Sequence, residues 1–408
     1  MQDITTSECE IVHRDFLKQD ERKKRICEKF LKVPLKDVES LVNYLFHSAC
    51  ESDYCRAGCE GRLVTVYYLT EEQLVRWLEG MDLSVFIPAP TATGSWIRCL
   101  DEQEEISIAL ERPRPAQSAK GFLLPPAETV ARYGEDATDV VPSAEKRVVV
   151  GVRACELKAW RYLDKVMLEG NFEDPLYKAR RENLIVISSD CVDCAEHCFC
   201  ILLGGKPFVE DTDGADINLT PLGNGGYLAE PMSRWGQDLI SSDWQQASSD
   251  QLQQRQQIRD SMTDRLKQQN SQYTFLATDD APPMLPDEMD QKWQEFAADC
   301  VECGACTNVC PTCHCFYLFD HEVKVKSSER VRTWDSCLFS TYHRMAGGVG
   351  MKLTPRPELR SRLANRILHK FVYSPQQYGM LGCIGCGRCI EGCLGKIDLR
   401  NVIEGLGK

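Results

Sequence analysis

Residues 147–170 read RVVVGVRACELKAWRYLDKVMLEG, and residues 183–190 read NLIVISSD. RVVVGV is a β-branched run without alternation, the pattern of a strand covered on both faces. The segment after it sets Leu157, Trp160, Leu163, Val166 and Met167 on one helical stripe, and NLIVISSD is a second buried strand. Together they predict a βαβ unit, whose strands are parallel neighbours joined by a right-handed crossover. Cys155 follows the first strand and Cys191 the second, so both emerge from one edge of the sheet, about 4.8 Å apart at the backbone. Two thiols at that spacing can share a metal. The loop CVDCAEHCFC at 191–200 adds Cys194, Cys198 and Cys200. A helix N-terminus beside Cys155, together with Arg153, would stabilise thiolates there.

The densest cysteine run lies further on, in CVECGACTNVCPTCHC at 300–315. Cys300, Cys303, Cys306 and Cys310-Pro311 fit C-x2-C-x2-C-x3-C-P, and Cys383, Cys386, Cys389 and Cys393 repeat the spacing, with Leu394 where the pattern prefers proline. Short gaps let one loop wrap three thiolates around a 4Fe-4S cubane, while the fourth cysteine points to a second cluster. Cluster I is therefore assigned to Cys300, Cys303, Cys306 and Cys393, and cluster II to Cys383, Cys386, Cys389 and Cys310. A zinc ribbon would take its thiolates from paired CxxC knuckles, not from a run of three. By extension, a third 4Fe-4S cluster is predicted on Cys155, Cys191, Cys198 and Cys200, with Cys194 as a substitute ligand. Zinc, or reduced cysteines that merely pack, are the competing readings of that third site.

The chain has 408 residues, 22 of them cysteine, and a formal charge of −13. It is long enough to bury a core without metal, so the clustered cysteines call for chemistry instead. The acidic balance, with no concentrated basic face, argues against nucleic acid. No secretory leader opens the chain and no run of 18 apolar residues occurs, so direct membrane insertion is not expected and a reducing cytoplasm, with anaerobic metabolism, is. The predicted organisation is α+β: a mixed α/β domain over 1–233 with the βαβ unit, a polar helical linker over 234–285, and an α-helical ferredoxin domain over 286–408. Thr70 caps a predicted helix in TEEQLVRWLEGM, and Leu363, Ile367, Leu368 and Phe371 share a helical face in the last domain. In the linker, Leu239, Trp244, Leu252, Ile258, Met262 and Leu266 are the sparse apolar positions.

Taken in order, GVRACELKAWRYLD, CFCILLGG leading into DGADINLTPLGNGGYL, CVECGACTNVCPTCHC, RTWDSCLF and CIGCGRCIEGC resemble the family that includes the β subunit of cytoplasmic sulfhydrogenases and an iron–sulfur subunit of anaerobic sulfite reductase. The resemblance runs from about residue 120 to the C-terminus. It implies an iron–sulfur electron-transfer subunit. Beside it would stand a flavin subunit that takes electrons from NAD(P)H and a catalytic subunit, whether hydrogenase, sulfite reductase or heterodisulfide-reductase-like. It also favours ligands at Cys155, Cys191, Cys198 and Cys200. The residues agree with that division of labour. No G-x-G-x-x-G follows a strand, no Walker motif occurs, and AGGVG at 346–350 has the wrong spacing, so neither flavin nor NAD(P) is expected on this chain, and no catalytic residue of its own. A zinc-stabilised scaffold and a self-sufficient reductase with a substrate site at an open iron are the alternatives.

Several cysteines are left over. Cys313, Cys315 and Cys337 could hold a further metal, with His314, His343 or His369 as fourth ligand, or could pack around clusters I and II with Trp334 and Arg332 and tune them. His47, Cys50, Cys55 and Cys59 form a second possible metal group, outside the resemblance. Cys9, Cys27 and Cys99 read as structural or free thiols.

Overall fold

The computed structural model describes residues 65–407 apart from 104, 135–137, 142–144, 211–213 and 346–353. Along the chain come β1 (Tyr67–Thr70), α1 (Glu71–Glu79), β2 (Ser84–Thr91), β3 (Gly94–Cys99), β4 (Ala127–Gly134), β5 (Arg147–Val152), α2 (Ala154–Met167), α3 (Pro175–Glu182) and β6 (Leu184–Ser189). They are followed by β7 (Ile217–Pro221), β8 (Gly226–Pro231), α4 (Arg234–Asp238), β9 (Gln245–Gln246) and α5 (Ser249–Gln269). The last part holds α6 (Trp293–Ala297), α7 (Ala305–Asn308), β10 (Phe316–Lys324), β11 (Ser327–Trp334), α8 (Leu359–Leu368), α9 (Ser374–Tyr378), α10 (Arg388–Glu391) and α11 (Leu399–Leu406).

The expected βαβ unit is there. β5 and β6 pair in parallel, in a mixed sheet of order β3-β2-β5-β6-β7-β8-β1-β9 in which β2, β5, β6 and β7 run parallel. Both faces are covered, which is why the strands lack alternation. Val148, Val150, Ile185 and Ile187 face Leu74 and Leu78 of α1 and Trp244, whereas Val149 and Val186 face Leu157, Trp160 and Leu163 of α2. Thr70 caps α1 with a full capping box through Gln73. Gly151 sits at φ +78 in a register shift of β5, where a Cβ would press on Leu110 and Pro88.

The stretch 234–285 adds elements to this body. β9 pairs with β1, and Met262 and Leu266 of α5 bury against Cys194. Residues 65–408 form one unit by their contacts. Residues 286–408 are not helical throughout. FYLFDHEVK and SSERVRTW form the antiparallel hairpin β10–β11, which pairs with β4 in a three-stranded sheet. Aromatic and β-branched residues favour strand over helix there. The shared face of Leu363, Ile367, Leu368 and Phe371 is buried as expected.

Arg332 of β11 ties that hairpin down, donating to Glu128 Oε1 at 2.6 Å and to Asp174. Burial would raise the Asp174 carboxyl, but Arg332 and the amides of Tyr177 and Leu176 hold it below the ordinary carboxylate range. A depressed folded pKa adds stability that is present above the unfolded value and lost as pH falls through the folded one. Asp174→Asn, which keeps the helix cap, should therefore melt lower than the parent at pH 7, and the gap should close below about pH 4. Paired melts across pH check this; a gap that persists in acid contradicts the charge argument.

Candidate metal centres

The two ferredoxin loops fold alike. Gly304 (φ +69) precedes α7, and Gly387 (φ +75) precedes α10. Two positions earlier in each motif, Glu302 (φ 53) and Gly385 (φ 69) again take left-handed backbone. This repeated geometry turns three thiols of each loop inward. One cavity is lined by Cys300, Cys303, Cys306 and Cys393, with Arg366 and Cys389 at its wall. Another is lined by Cys310, Cys383, Cys386 and Cys389, with Lys370. Cys393 thus lines the cavity of the first motif, and Cys310 that of the second.

Cys155, Cys191, Cys194, Cys198 and Cys200 meet in a third cavity, beside Arg114, Arg153 and Cys386. Cys155 sits in the first turn of α2, and Cys191 leaves the end of β6. Arg153 clamps these strand ends together, donating to Ser189 Oγ at 3.0 Å, to Leu110 O at 2.7 Å and to the carbonyl of Asp190. The buried Asp190 carboxylate accepts from Asn218, Thr220, Arg259 and the Val209 amide, so it fixes the root of the 191–200 loop. α5 holds the far side. Gln269 and Asn270 donate to Cys198 O, each at 3.0 Å, while the Cys194 thiol donates to Gln269 Oε1 at 3.3 Å. Cys194 therefore already has a protein partner.

The three cavities are contiguous. Cys386 lines both the third and the second, and Cys389 lines both the second and the first. The Phe199 amide donates to Gly385 O at 2.8 Å, binding the 191–200 loop to the second ferredoxin loop.

The electrostatics suit anionic occupants. Burial pushes the Cys191 and Cys389 thiols up to about 12 and that of Cys383 up to about 11, so protons stay on these sulfurs unless a cation replaces them. Around them lie cations that periodicity did not single out. Lys370 donates to Cys310 Sγ at 3.2 Å, Thr312 Oγ1 at 2.9 Å and Gly382 O at 3.0 Å. Burial would lower its pKa, yet the Cys310 and Cys313 thiols outweigh burial and hold it well above the ordinary lysine value. Arg366 is likewise held charged, against burial, by Cys306 and Cys389, and its Nε has no protein partner. Arg114 donates to Cys386 O at 2.5 Å and Glu391 at 2.8 Å, and Arg388 pairs with Glu156. A signal was present in the sequence: Arg366 and Lys370 interrupt the apolar face of Leu363, Ile367 and Phe371 at helical spacing. Charge inside a buried stripe requires a counter-charge.

A single zinc ion at 2.3 Å from four thiolates would draw the sulfurs to about 3.8 Å from one another. A cubane presents its irons at separate corners and needs a wider thiol frame. The donor set and the cations around it fit iron–sulfur clusters.

Comparison with known proteins agrees. Residues 299–397 match a family described as a 4Fe-4S dicluster domain. The chain is 30% identical to sulfhydrogenase 2 subunit beta of Pyrococcus furiosus over 298 residues, 73% of this chain and 85% of that protein. The chain belongs to the sulfhydrogenase β-subunit family. No solved structure matches it. As a member of that family it is an iron–sulfur oxidoreductase subunit that transfers electrons. Among its described residues no helix is long and apolar enough to cross a membrane.

The remaining candidates fall out as follows. Cys315 and Cys337 lie within hydrogen-bonding reach of each other, and so do Cys310 and Cys313. His314 and His369 contact each other edge to face, and burial lowers both to about 4, so both are neutral at pH 7. His343 is exposed. Trp334 packs under Lys120, whose Nζ lies 3.9 Å from the ring centroid and donates to Cys313 O. Cys99 is a half-buried free thiol. Leu394 is exposed and is not among the residues lining the three cavities above. His47, Cys50, Cys55, Cys59, Cys9 and Cys27 lie outside the described residues, as does AGGVG.

Lys370 makes a measurable difference to the second site. One positive charge about 6 Å from a gained electron, at an effective dielectric near 20, is worth about 3 kcal/mol. Lys370→Met should thus lower the one-electron potential of a cluster held there by roughly 120 mV, taking about 59 mV per tenfold change in equilibrium. A redox titration followed by electron paramagnetic resonance reads it; an unchanged potential would remove the lysine from the account.

Proposed function

We propose that this chain carries three 4Fe-4S clusters in one line and relays single electrons between two partner subunits of an oxidoreductase. The ligand sets are Cys155, Cys191, Cys198 and Cys200; then Cys310, Cys383, Cys386 and Cys389; then Cys300, Cys303, Cys306 and Cys393. The observation that carries the reading is the sharing of Cys386 and Cys389 between neighbouring cavities, which makes the second site the middle of the line. Each cluster supplies a centre that gains or loses one electron without breaking a bond.

The protein's own groups do the rest. Lys370, Arg366, Arg114 and Arg388 balance the negative charge of thiolate-bound iron in a dry interior. Leu363, Ile367, Leu399 and Val402 keep water from the first site, except where Cys303 is exposed. That end has the thinnest cover, with Val301 beside it 60% exposed, and is the natural point for electrons to enter or leave. Cys194, engaged with Gln269, is a packing residue in this reading, and the 286–408 segment is the ferredoxin-type module. The partners are a flavin-binding protein fed by NAD(P)H and a catalytic one; the relative, named as the β subunit of a sulfhydrogenase, likewise works beside other subunits.

Anaerobic purification followed by stepwise reduction and electron paramagnetic resonance tests the line. Signals broadened by magnetic coupling between neighbouring clusters are expected. Isolated, uncoupled signals at all stages would refute the linear order.

A further inference from the structure

Three cysteines beside the middle site are used by none of the ligand sets: Cys313, Cys315 and Cys337. Cys337 is buried, Cys313 and Cys315 are half-buried, and all three are free thiols. They are arranged in pairs. The thiol of Cys315 lies within hydrogen-bonding reach of Cys337, and that of Cys313 within reach of Cys310. Backbone geometry fixes the first pair. The Asp335 amide donates to Cys315 O at 3.0 Å, continuing the β10–β11 ladder two residues short of Cys337, and the Cys313 amide donates to Cys310 O. A path for protons adjoins it: the Tyr342 hydroxyl is within hydrogen-bonding reach of Cys315, and its ring stacks at 4.0 Å on the exposed His343.

We propose that Cys315 and Cys337 are a redox-active pair that cycles between dithiol and disulfide, exchanging two electrons with the cluster held by Cys310. The inference rests on the cluster reading above. In the reducing direction the first electron, passed from that cluster, splits the S–S bond into one thiolate and one thiyl sulfur. A second electron, delivered after the cluster has been recharged along the line, converts the thiyl to thiolate. Two protons from solvent, by way of Tyr342, complete two thiols. In the oxidising direction the same two electrons return singly to the cluster, the two protons leave, and the S–S bond re-forms. A line of one-electron carriers thereby gains a store for electron pairs, which suits a chain placed between donors and acceptors that work two electrons at a time.

The test uses the full-length, cluster-loaded protein, poised anaerobically at a series of potentials with mediators, quenched in acid and alkylated before peptide mapping. Cys315 and Cys337 should be protected together at the oxidising end, recovered as one cross-linked peptide, and become labelled together. Their reduced-to-oxidised ratio should change tenfold for about each 30 mV, the two-electron slope, rather than about 59 mV. In Cys337→Ser, Cys315 should label at every potential with iron content unchanged. Labelling of both thiols at every potential would overturn the proposal, as would a disulfide that stays closed when the clusters are reduced, or loss of metal in Cys337→Ser. Iron and sulfide counts on the same sample separate the failures. Iron present with both thiols always free defeats the pair alone; absence of iron defeats the cluster reading beneath it.

Discussion

Replacing Cys383 by alanine should remove the middle cluster and stop electron passage from one end of the chain to the other. Cys383 is buried and lines only the second cavity, so its loss does not directly alter either neighbouring site. Iron and labile sulfide should fall by about a third, since each lost cluster takes its four irons with it. The end sites should still be reducible by small reagents. Electrons offered to one end should no longer appear at the other, because the shared walls at Cys386 and Cys389 then enclose no carrier. Iron analysis combined with stopped-flow absorption reads both effects. Full-rate transfer with the middle cluster missing would mean that the line is drawn wrongly.

The second large effect is expected at Gly385. Its φ of +69 is a left-handed conformation, and a Cβ built there would lie 2.5 Å from Cys200 Cα and 2.6 Å from Cys200 N. Those neighbours are backbone and cannot swing aside. Gly385→Ala combines left-handed strain of about 1–3 kcal/mol with a backbone clash, so a loss upwards of about 3 kcal/mol is expected. Because the residue joins two loops, the damage should reach the second and third sites together while the first, which Gly385 does not line, keeps its iron longest. Thermal melts with iron release followed in parallel check this; a variant as stable as the parent would contradict the tight join between the loops.

Much of the site is legible in local spacing. Cys300, Cys303 and Cys306 with Cys310, and their repeat 83 positions on, carry their geometry in the loop itself, where Gly304 and Gly387 take the same left-handed turn. The pairing of Cys155 with Cys191 follows from strand parallelism, which unalternated valine and isoleucine runs reveal. What periodicity could not reveal depends on contacts distant in sequence. Arg388 meets Glu156 across 232 positions (388 − 156), and Arg114 meets Cys386. The polar face of α5 reads as solvated, yet Arg259 and Gln269 on it, with Asn270 just past its end, brace the third site, because hydrogen-bonding polar residues pack against a loop as readily as they face water. The hairpin at 316–334 was hidden by the cysteine motifs on either side, which favoured helices throughout.

The most direct measurement is the metal content of the anaerobically purified full-length chain. Four irons and four labile sulfides at each of three sites, with brown absorption bleached by reductant and no stoichiometric zinc, is the predicted result. A colourless protein that holds zinc and no iron would contradict the account at its root.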